Sequence, residues 1–458
     1  MTIEATSAGE TGETGKSGEA TSEQPQRHAN NWIVLLLIFT LAGVVESQAF
    51  GHLNAFRPLY LQELGVPIAN IATWTGILAS LAFVIGLPLL PFWGVWADRY
   101  SRKLIIVRSA YVEGVMFTVA ALAPNVWVLA VAQLLGGFVF GNTGVMLAML
   151  ADATPRKRLG MAVGIASAGF PIGSSVGPYI GGLIAQGPGI RWLLGMDAGL
   201  SVLMGLLLTL ILREELHRVV TGETVGKMLR AAVRAITSAP VVLRLFILYF
   251  LAMYGYSLAA PFIPILLQNL YRGDPGQLAG MIGTTLTLSG IAMAVMTPVW
   301  GRLGDTASRW LVLPLCLAGM MAGLVVAALA QTLFPLQLDI IGMGLFQGGI
   351  GTTVLALLAL LAPVERRAPI LTFSLLPSQL SWFLGPISGA ALSRVSLALP
   401  FFAGAVALAV AMLFAIALGV RSRGGYAAAA SAAGEIVATE SVRALHETQL
   451  RQGEDLMG

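Results

Sequence analysis

The chain has 458 residues, of which 56% are hydrophobic and 11% charged, with a formal net charge of +4 and a mean hydropathy of +0.80. Soluble domains carry about 25% charged residues, so a soluble enzyme with an ordinary core is excluded. The excess of positive charge is explained by where the basic residues fall, described below, and not by a nucleic-acid partner.

Apolar runs of about 20 residues, the length that crosses a bilayer as a helix, recur from end to end. Twelve are predicted, at 32–61, 72–96, 103–123, 126–150, 161–185, 191–212, 242–270, 278–301, 309–330, 335–361, 370–392 and 398–420. Before them, residues 1–31 are rich in Thr, Ser, Gly and Glu and have no apolar face, which predicts a disordered tail. Glu4, Glu10 and Glu13 make this start too acidic for a cleaved signal peptide.

The first run is the most polar of the amino half, with Glu46, Ser47, Gln48, His52, Asn54 and Arg57. At 100° per residue Glu46, Asn54 and Arg57 share one sector and Gln48 and His52 lie nearly opposite, so both faces must meet something other than lipid. An acid at mid-bilayer costs about 2.5–3.5 kcal/mol on insertion scales, so Glu46 should face protein or a water-filled cavity. It is the favoured site for a transported proton; pairing with Arg57 or with a neighbouring span is the structural alternative.

Between the second and third runs stands Pro91–Lys103, whose core reads Gly94-x-x-x-Asp98-Arg99-x-x-Arg102-Lys103. Charges this dense require a tight loop at a membrane surface. Pro298, Trp300, Gly301, Asp305, Ser308 and Arg309 repeat Pro91, Trp93, Gly94, Asp98, Ser101 and Arg102 at an offset of 207 residues. The chain is therefore a duplication. Pro58-x-x-Leu61-Gln62-x-Leu64 likewise returns as Pro264-x-x-Leu267-Gln268-x-Leu270.

The loop resembles the signature between the second and third spans of the major facilitator superfamily. That resemblance implies an all-α membrane protein of twelve transmembrane helices in two pseudo-symmetric six-helix bundles, 32–212 and 242–420. It also implies a conformational latch on the loop side, with Gly94, Asp98, Arg99, Arg102 and Lys103, and Gly301, Asp305 and Arg309 as the second copy. Asp98 would suit the positive N-terminus of a neighbouring helix, and Asp152 at the foot of the fourth run is a partner for Arg102.

In the third run Arg108 precedes Glu113, a second candidate for proton coupling. The fourth carries Gln133, Gly137 and Gly141, read as a narrow glycine ridge. The superfamily often begins this pattern with an arginine tied to proton coupling, and Gln133 departs from it. The fifth run holds Gly164, Gly173, Gly177, Pro178, Gly181 and Gly182, which resembles the antiporter signature of the drug:proton branch. Gly173, Gly177 and Gly181 leave one stripe of bare backbone for a neighbouring helix, and Pro178 bends the span. The eleventh run keeps only Gly385, Pro386 and Gly389 of this pattern, with Ser381 where Gly173 sits.

Residues 213–241 are basic and partly amphipathic, a linker along the membrane surface; 421–458 form a second tail. Asp197 and Asp339 are placed nearer the outer surface, and His52 as a packing residue. Gln48, Tyr254, Gln347 and Trp382 are candidates for a substrate cavity. Of 27 Lys and Arg, only Arg57, Arg191, Arg272 and Arg394 fall opposite the loop side. The positive-inside rule puts the loop side and both termini in the cytoplasm of a plasma (inner) membrane protein.

A single cysteine, Cys316, and four scattered histidines, His28, His52, His217 and His446, offer no metal cluster, and no cofactor is expected. The expected function is secondary active transport by a monomer: export of a small lipophilic or cationic compound in exchange for protons, by alternating access, with no enzymatic activity. Its nearer rival is a carrier of sugars or organic acids on the same scaffold; the more distant is a membrane sensor or enzyme.

Overall fold

The computed structural model describes residues 31–213, 236–363 and 367–420, with a few more between 226 and 234. The tails expected at 1–31 and 421–458 lie outside the described residues apart from Asn31, as does most of the linker expected at 213–241, whose last two residues already belong to the next helix. What is described is nearly all helix, as hydrocarbon demands: a backbone with no water around it must satisfy its own hydrogen bonds.

In chain order the helices are α1 (Trp32–Glu63), α2 (Ile68–Arg99), α3 (Arg102–Ala121), α4 (Val126–Ala153), α5 (Leu159–Gln186) and α6 (Ile190–Ile211). The second half supplies α7 (Pro240–Leu270), α8 (Leu278–Leu303), α9 (Arg309–Leu329), α10 (Leu333–Leu361), α11 (Leu376–Ser393) and α12 (Leu399–Val420). Short polar side chains start several of them. Asn31 Oδ1 accepts from the Ile33 amide at 2.9 Å, Ser101 Oγ from Leu104 at 3.1 Å, and Asn125 Oδ1 from Trp127 and Val128 at 3.1 Å. Each satisfies donors that the first turn of a helix leaves orphaned.

Among the described residues ten helical segments are long and apolar enough to cross a membrane. The twelve predicted runs differ from these in two places. The eighth and ninth fall in one segment, Pro275–Leu329, because the chain between them loosens into a π-turn at Gly304–Ser308 and does not open into a long loop. The eleventh, α11, is only 18 residues long, contains Pro386, and follows a separate short helix at Arg367–Thr372.

A second correction concerns α4. The ridge read at Gly137 and Gly141 is not one continuous helix. Gly137 does meet α2, where an added Cβ would stand 2.5 Å from the Ala82 carbonyl oxygen. Gly141, however, sits at φ +92°, a left-handed conformation that costs glycine nothing. There α4 breaks, and a second helical stretch starts at Asn142.

The packing repeats itself. α1 lies on α5, α2 and α3 meet α4, and correspondingly α7 lies on α11 while α8 and α9 meet α10. Two seams join the halves, α5 with α8 and α2 with α11. Shifting by the repeat carries α2 onto α8 and α5 onto α11, so each seam maps onto the other. The α5–α8 seam is formed by their ends remote from the charged loops: Tyr179 N donates to Thr287 Oγ1 at 3.0 Å and Gln186 Nε2 to the Gln277 carbonyl at 3.0 Å. Gly76 packs against Pro386 and Ala390 in the α2–α11 seam, also remote from the loops.

The cores follow the same division. One cluster runs through both halves, from Phe56, Tyr60 and Leu61 to Phe262, Leu267 and Ile282. A second, with Leu35, Phe39, Trp93, Ile106, Met149 and Leu208, belongs to the loop side of the amino half alone. The halves share a core opposite the loops and not beside them.

Candidate functional site

The amino half gathers its mid-span charges between α1, α3, α4 and α6. A small cavity of about 10 Å³, room for one water at most, is lined by Glu46, Glu113, Asn142, Met146, Met204 and Leu208. Glu46 therefore faces the interior of its own half. Asn142 Nδ2 donates to Glu46 Oε2 at 2.7 Å. The amide has only this choice, because Asn142 Oδ1 already accepts from the Thr143 backbone at 2.8 Å. Glu113 is buried and its Oε1 has no hydrogen-bond partner. The pairing of Glu46 with Arg57 weighed from the sequence is not made: Arg57 donates to Asn54 Oδ1 at 2.9 Å.

Deeper in this half, His52 Nδ1 and Asp197 Oδ1 are hydrogen-bonded at 3.0 Å with both side chains fully buried. Asp197 is thus a structural residue, packed by α6 directly against α1. The other ring nitrogen, Nε2, donates to the Gly177 carbonyl at 2.8 Å. His52 thereby ties three helices together beside Pro178 of α5.

The bare stripe of α5 is filled by α1. A Cβ on Gly173 would run into Ser47 Oγ, one on Gly177 would stand 2.9 Å from Gln48 Cα, and one on Gly181 would meet His52 and Phe56. Gly182 and the Pro178 carbonyl look the other way, onto Ala279, Gly280 and Gly283 of α8. Gly164 has open space at its Cα. The stripe is accordingly a seam within the amino half, and the interface between halves lies on the opposite face of the same helix.

On the loop side, Arg102 Nη1 donates to Asp152 Oδ2 at 2.5 Å, and Arg309 pairs with Asp305 one turn before it. Both pairs stay within their own half. Arg99 is exposed, its guanidinium 5.7 Å from the Tyr100 ring, and Lys103 is half-buried. Gly301 has nothing near it. The surroundings of Gly94 and Asp98 lie outside what is described.

The cavity candidates divide. Gln347 of α10 hydrogen-bonds the Tyr256 hydroxyl, and the Trp382 ring stands edge-on to Tyr256 at 6.0 Å between centroids. Three helices thus converge on Tyr256. Tyr254 instead stacks on Phe250 at 5.5 Å, and Gln48 belongs to the α1–α5 seam. The sequence alone does not single out Tyr256 among the tyrosines of α7, Tyr249, Tyr254 and Tyr256, nor does it point to Asn142, whose role depends on the left-handed Gly141 before it.

The family model described as Major Facilitator Superfamily matches residues 35–280 and 245–447. "Multidrug resistance protein MdtG" of Escherichia coli, in strain K12 / DH10B and in O1:K1 / APEC alike, is 28% identical over 366 residues, 79% of this chain and 88% of its own. Among solved structures, a bacterial homolog of the human lysosomal transporter Spinster, inward-facing and unoccupied, aligns with a TM-score of 0.68 at 16% identity. It covers 84% of this chain and 96% of its own. The nucleoside transporter NupG aligns with a TM-score of 0.68 at 12% identity, over 84% and 98%.

Proposed function

The chain belongs to the Major Facilitator Superfamily, and from that premise we propose that it exports small lipophilic or cationic compounds across the plasma membrane in exchange for protons. It is a multi-pass membrane transport protein. The similarity to a multidrug resistance protein supports the substrate class. The observation that carries the coupling is the pair of carboxylates, Glu46 and Glu113, facing one small cavity inside the amino half.

Twelve crossings in two six-helix bundles fit the ten segments once two are accounted for. Pro275–Leu329 has 55 residues, about 80 Å of helix against about 30 Å of hydrocarbon. It holds two crossings, turning at Ser308, whose backbone is extended. The short α11 is the twelfth, since its counterpart α5 is plainly long enough.

The positive-inside distribution supports a cytoplasmic position for the loops and both termini. The halves then part on the cytoplasmic side and join on the outer side, and alternation consists of closing the loops together as the α5–α8 and α2–α11 seams open. Substrate meets the uncharged platform of Tyr256, Gln347 and Trp382 in the carboxyl half, while the proton is handled in the amino half. Coupling passes through conformation, because Glu46 is turned away from the carboxyl half.

The test is transport in reconstituted vesicles with and without an imposed pH gradient. Glu46→Gln is expected to abolish uphill export and to keep exchange of substrate down its own gradient. A variant that still concentrates substrate in response to the gradient overturns the assignment of Glu46, and Glu113→Gln is then measured in the same way.

One observation favours the rival metabolite carrier. Arg57 is only 3% exposed, its Nε has no hydrogen-bond partner, and Asn54, which it does bond, carries no charge. A buried cation with no counter-charge among the described residues suits an organic acid as cargo. Arg57→Gln separates the readings: it impairs a carrier of anions and spares export of cations.

A further inference from the structure

The sequence shows Arg108 only as a residue that precedes Glu113 on the same helix. The structure puts its guanidinium elsewhere. Its Cζ lies 3.4 Å from the centre of the Trp93 ring, a close cation–π stack. Its Nη2 donates to Ser109 Oγ at 2.9 Å and to the Phe140 carbonyl at 3.2 Å. Phe140 immediately precedes the left-handed Gly141, so this carbonyl is one that the break in α4 leaves without a helical partner.

The same ring closes the other side of the break. A Cβ on Gly141 would stand 2.5 Å from Trp93 Cβ, so the indole rests on bare backbone. Next in the chain is Asn142, the N-terminal residue of the second stretch of α4, whose amide donates to Glu46. A continuous path of contacts therefore runs from Arg108 and Trp93 through Phe140 and Gly141 to Asn142 and Glu46. Trp93 is itself one residue before Gly94 of the charged loop.

We propose that Arg108 is a positioning residue: by holding the Phe140 carbonyl and the Trp93 ring, it fixes the break in α4 and so aims the Asn142 amide at the Glu46 carboxylate. An uninterrupted α4 would rotate residue 142 and return the Phe140 carbonyl to its own helix. The break is thus a built part of the acid site, and Arg108 is what it is fastened to. Glu46 has few other charges to respond to. α3 offers Glu113, α6 offers Met204 and Leu208 beside it with Asp197 already paired to His52, α5 carries no Asp, Glu, His, Lys or Arg, and α2 has only Asp98 and Arg99 in its last turn.

This inference rests on Glu46 as the coupled acid, and its test is chosen to stand apart from transport. Infrared titration of the reconstituted protein, without substrate, identifies the Glu46 carboxyl band as the one lost in Glu46→Gln. Asn142→Ala removes the direct hydrogen bond and is expected to move the midpoint of that band by about one pH unit, the effect of one charge-assisted bond. Arg108→Gln is expected to move it in the same direction by a similar amount, and the double variant no further than either. Arg108→Lys, which keeps the charge but not the planar stack, should fall between wild type and Arg108→Gln and serves if the latter does not fold. A midpoint unchanged in Arg108→Gln, or shifts that add in the double variant, overturns the proposal. If Glu46→Gln still exports uphill, the coupling assignment fails instead, and the infrared result on Arg108 stands or falls by itself.

Discussion

The Gly177 carbonyl accepts a hydrogen bond from His52 Nε2 at 2.8 Å, while the Gly177 Cα lies against Gln48 of the same helix that carries the histidine. A single glycine thus supplies both the close approach of α5 to α1 and the acceptor that fastens it. Gly177→Leu is expected to force the two helices apart, since even its first carbon would stand 2.9 Å from Gln48 Cα. Overpacking of this kind costs about 1–3 kcal/mol. The expected result is a lower melting temperature in detergent with loss of transport; full activity at wild-type stability would show that this face is not packed in the working protein.

The partner of that bond yields a second prediction. A carbonyl only accepts, so Nε2 of His52 carries its hydrogen, and Nδ1 shares a proton with Asp197 across 3.0 Å. Removing one member of a buried pair costs about 3–5 kcal/mol, whereas replacing both by apolar groups is near neutral. Asp197→Leu alone should be poorly folded, and adding His52→Leu should recover much of the loss in thermal stability. A double variant less stable than the single one would show that the pair is not the unit the geometry makes it.

What could be read from the chain and what could not divides along a physical line. Span lengths, the duplicated loop and the α5 glycines are written as local patterns, and each answers to backbone geometry or hydrocarbon thickness. Partners across space are not local. Asp197 cannot be told from a solvated acid until α6 is laid against α1, and Gly141 looks like one more ridge position until Trp93 covers it. Tyr256 stands out from Tyr249 and Tyr254 only once α10 and α11 bring Gln347 and Trp382 to it.

On the loop side, Arg102 and Asp152 form a pair with side chains 24% and 59% exposed. A pair so open to water contributes about 0–1 kcal/mol to stability. Asp152→Asn should leave abundance unchanged and move the melting temperature by less than about 4 °C, while transport falls sharply if the loop serves as a latch when the halves close. Transport at the wild-type rate would leave the loop as an anchor of topology only.

The α5–α8 seam gives the most direct test of movement. An added Cβ at Gly290 would stand 2.8 Å from Ser175 Cβ, and a disulfide needs about 3.5–4.5 Å between such atoms, a separation the two helices reach by a small relaxation. The sole cysteine, Cys316, is buried and is first replaced by Ser to remove background. Ser175→Cys with Gly290→Cys should then cross-link readily under oxidation, most completely without substrate or pH gradient. Transport should stop on cross-linking and return on reduction, because the seam must part for the outer side to open. If fully cross-linked protein still transports, the two halves do not separate along α5 and α8. The opening then runs through the α2–α11 seam alone, which Gly76→Cys paired with Ala390→Cys examines in the same way, since an added Cβ at Gly76 would stand 2.8 Å from Ala390 Cβ.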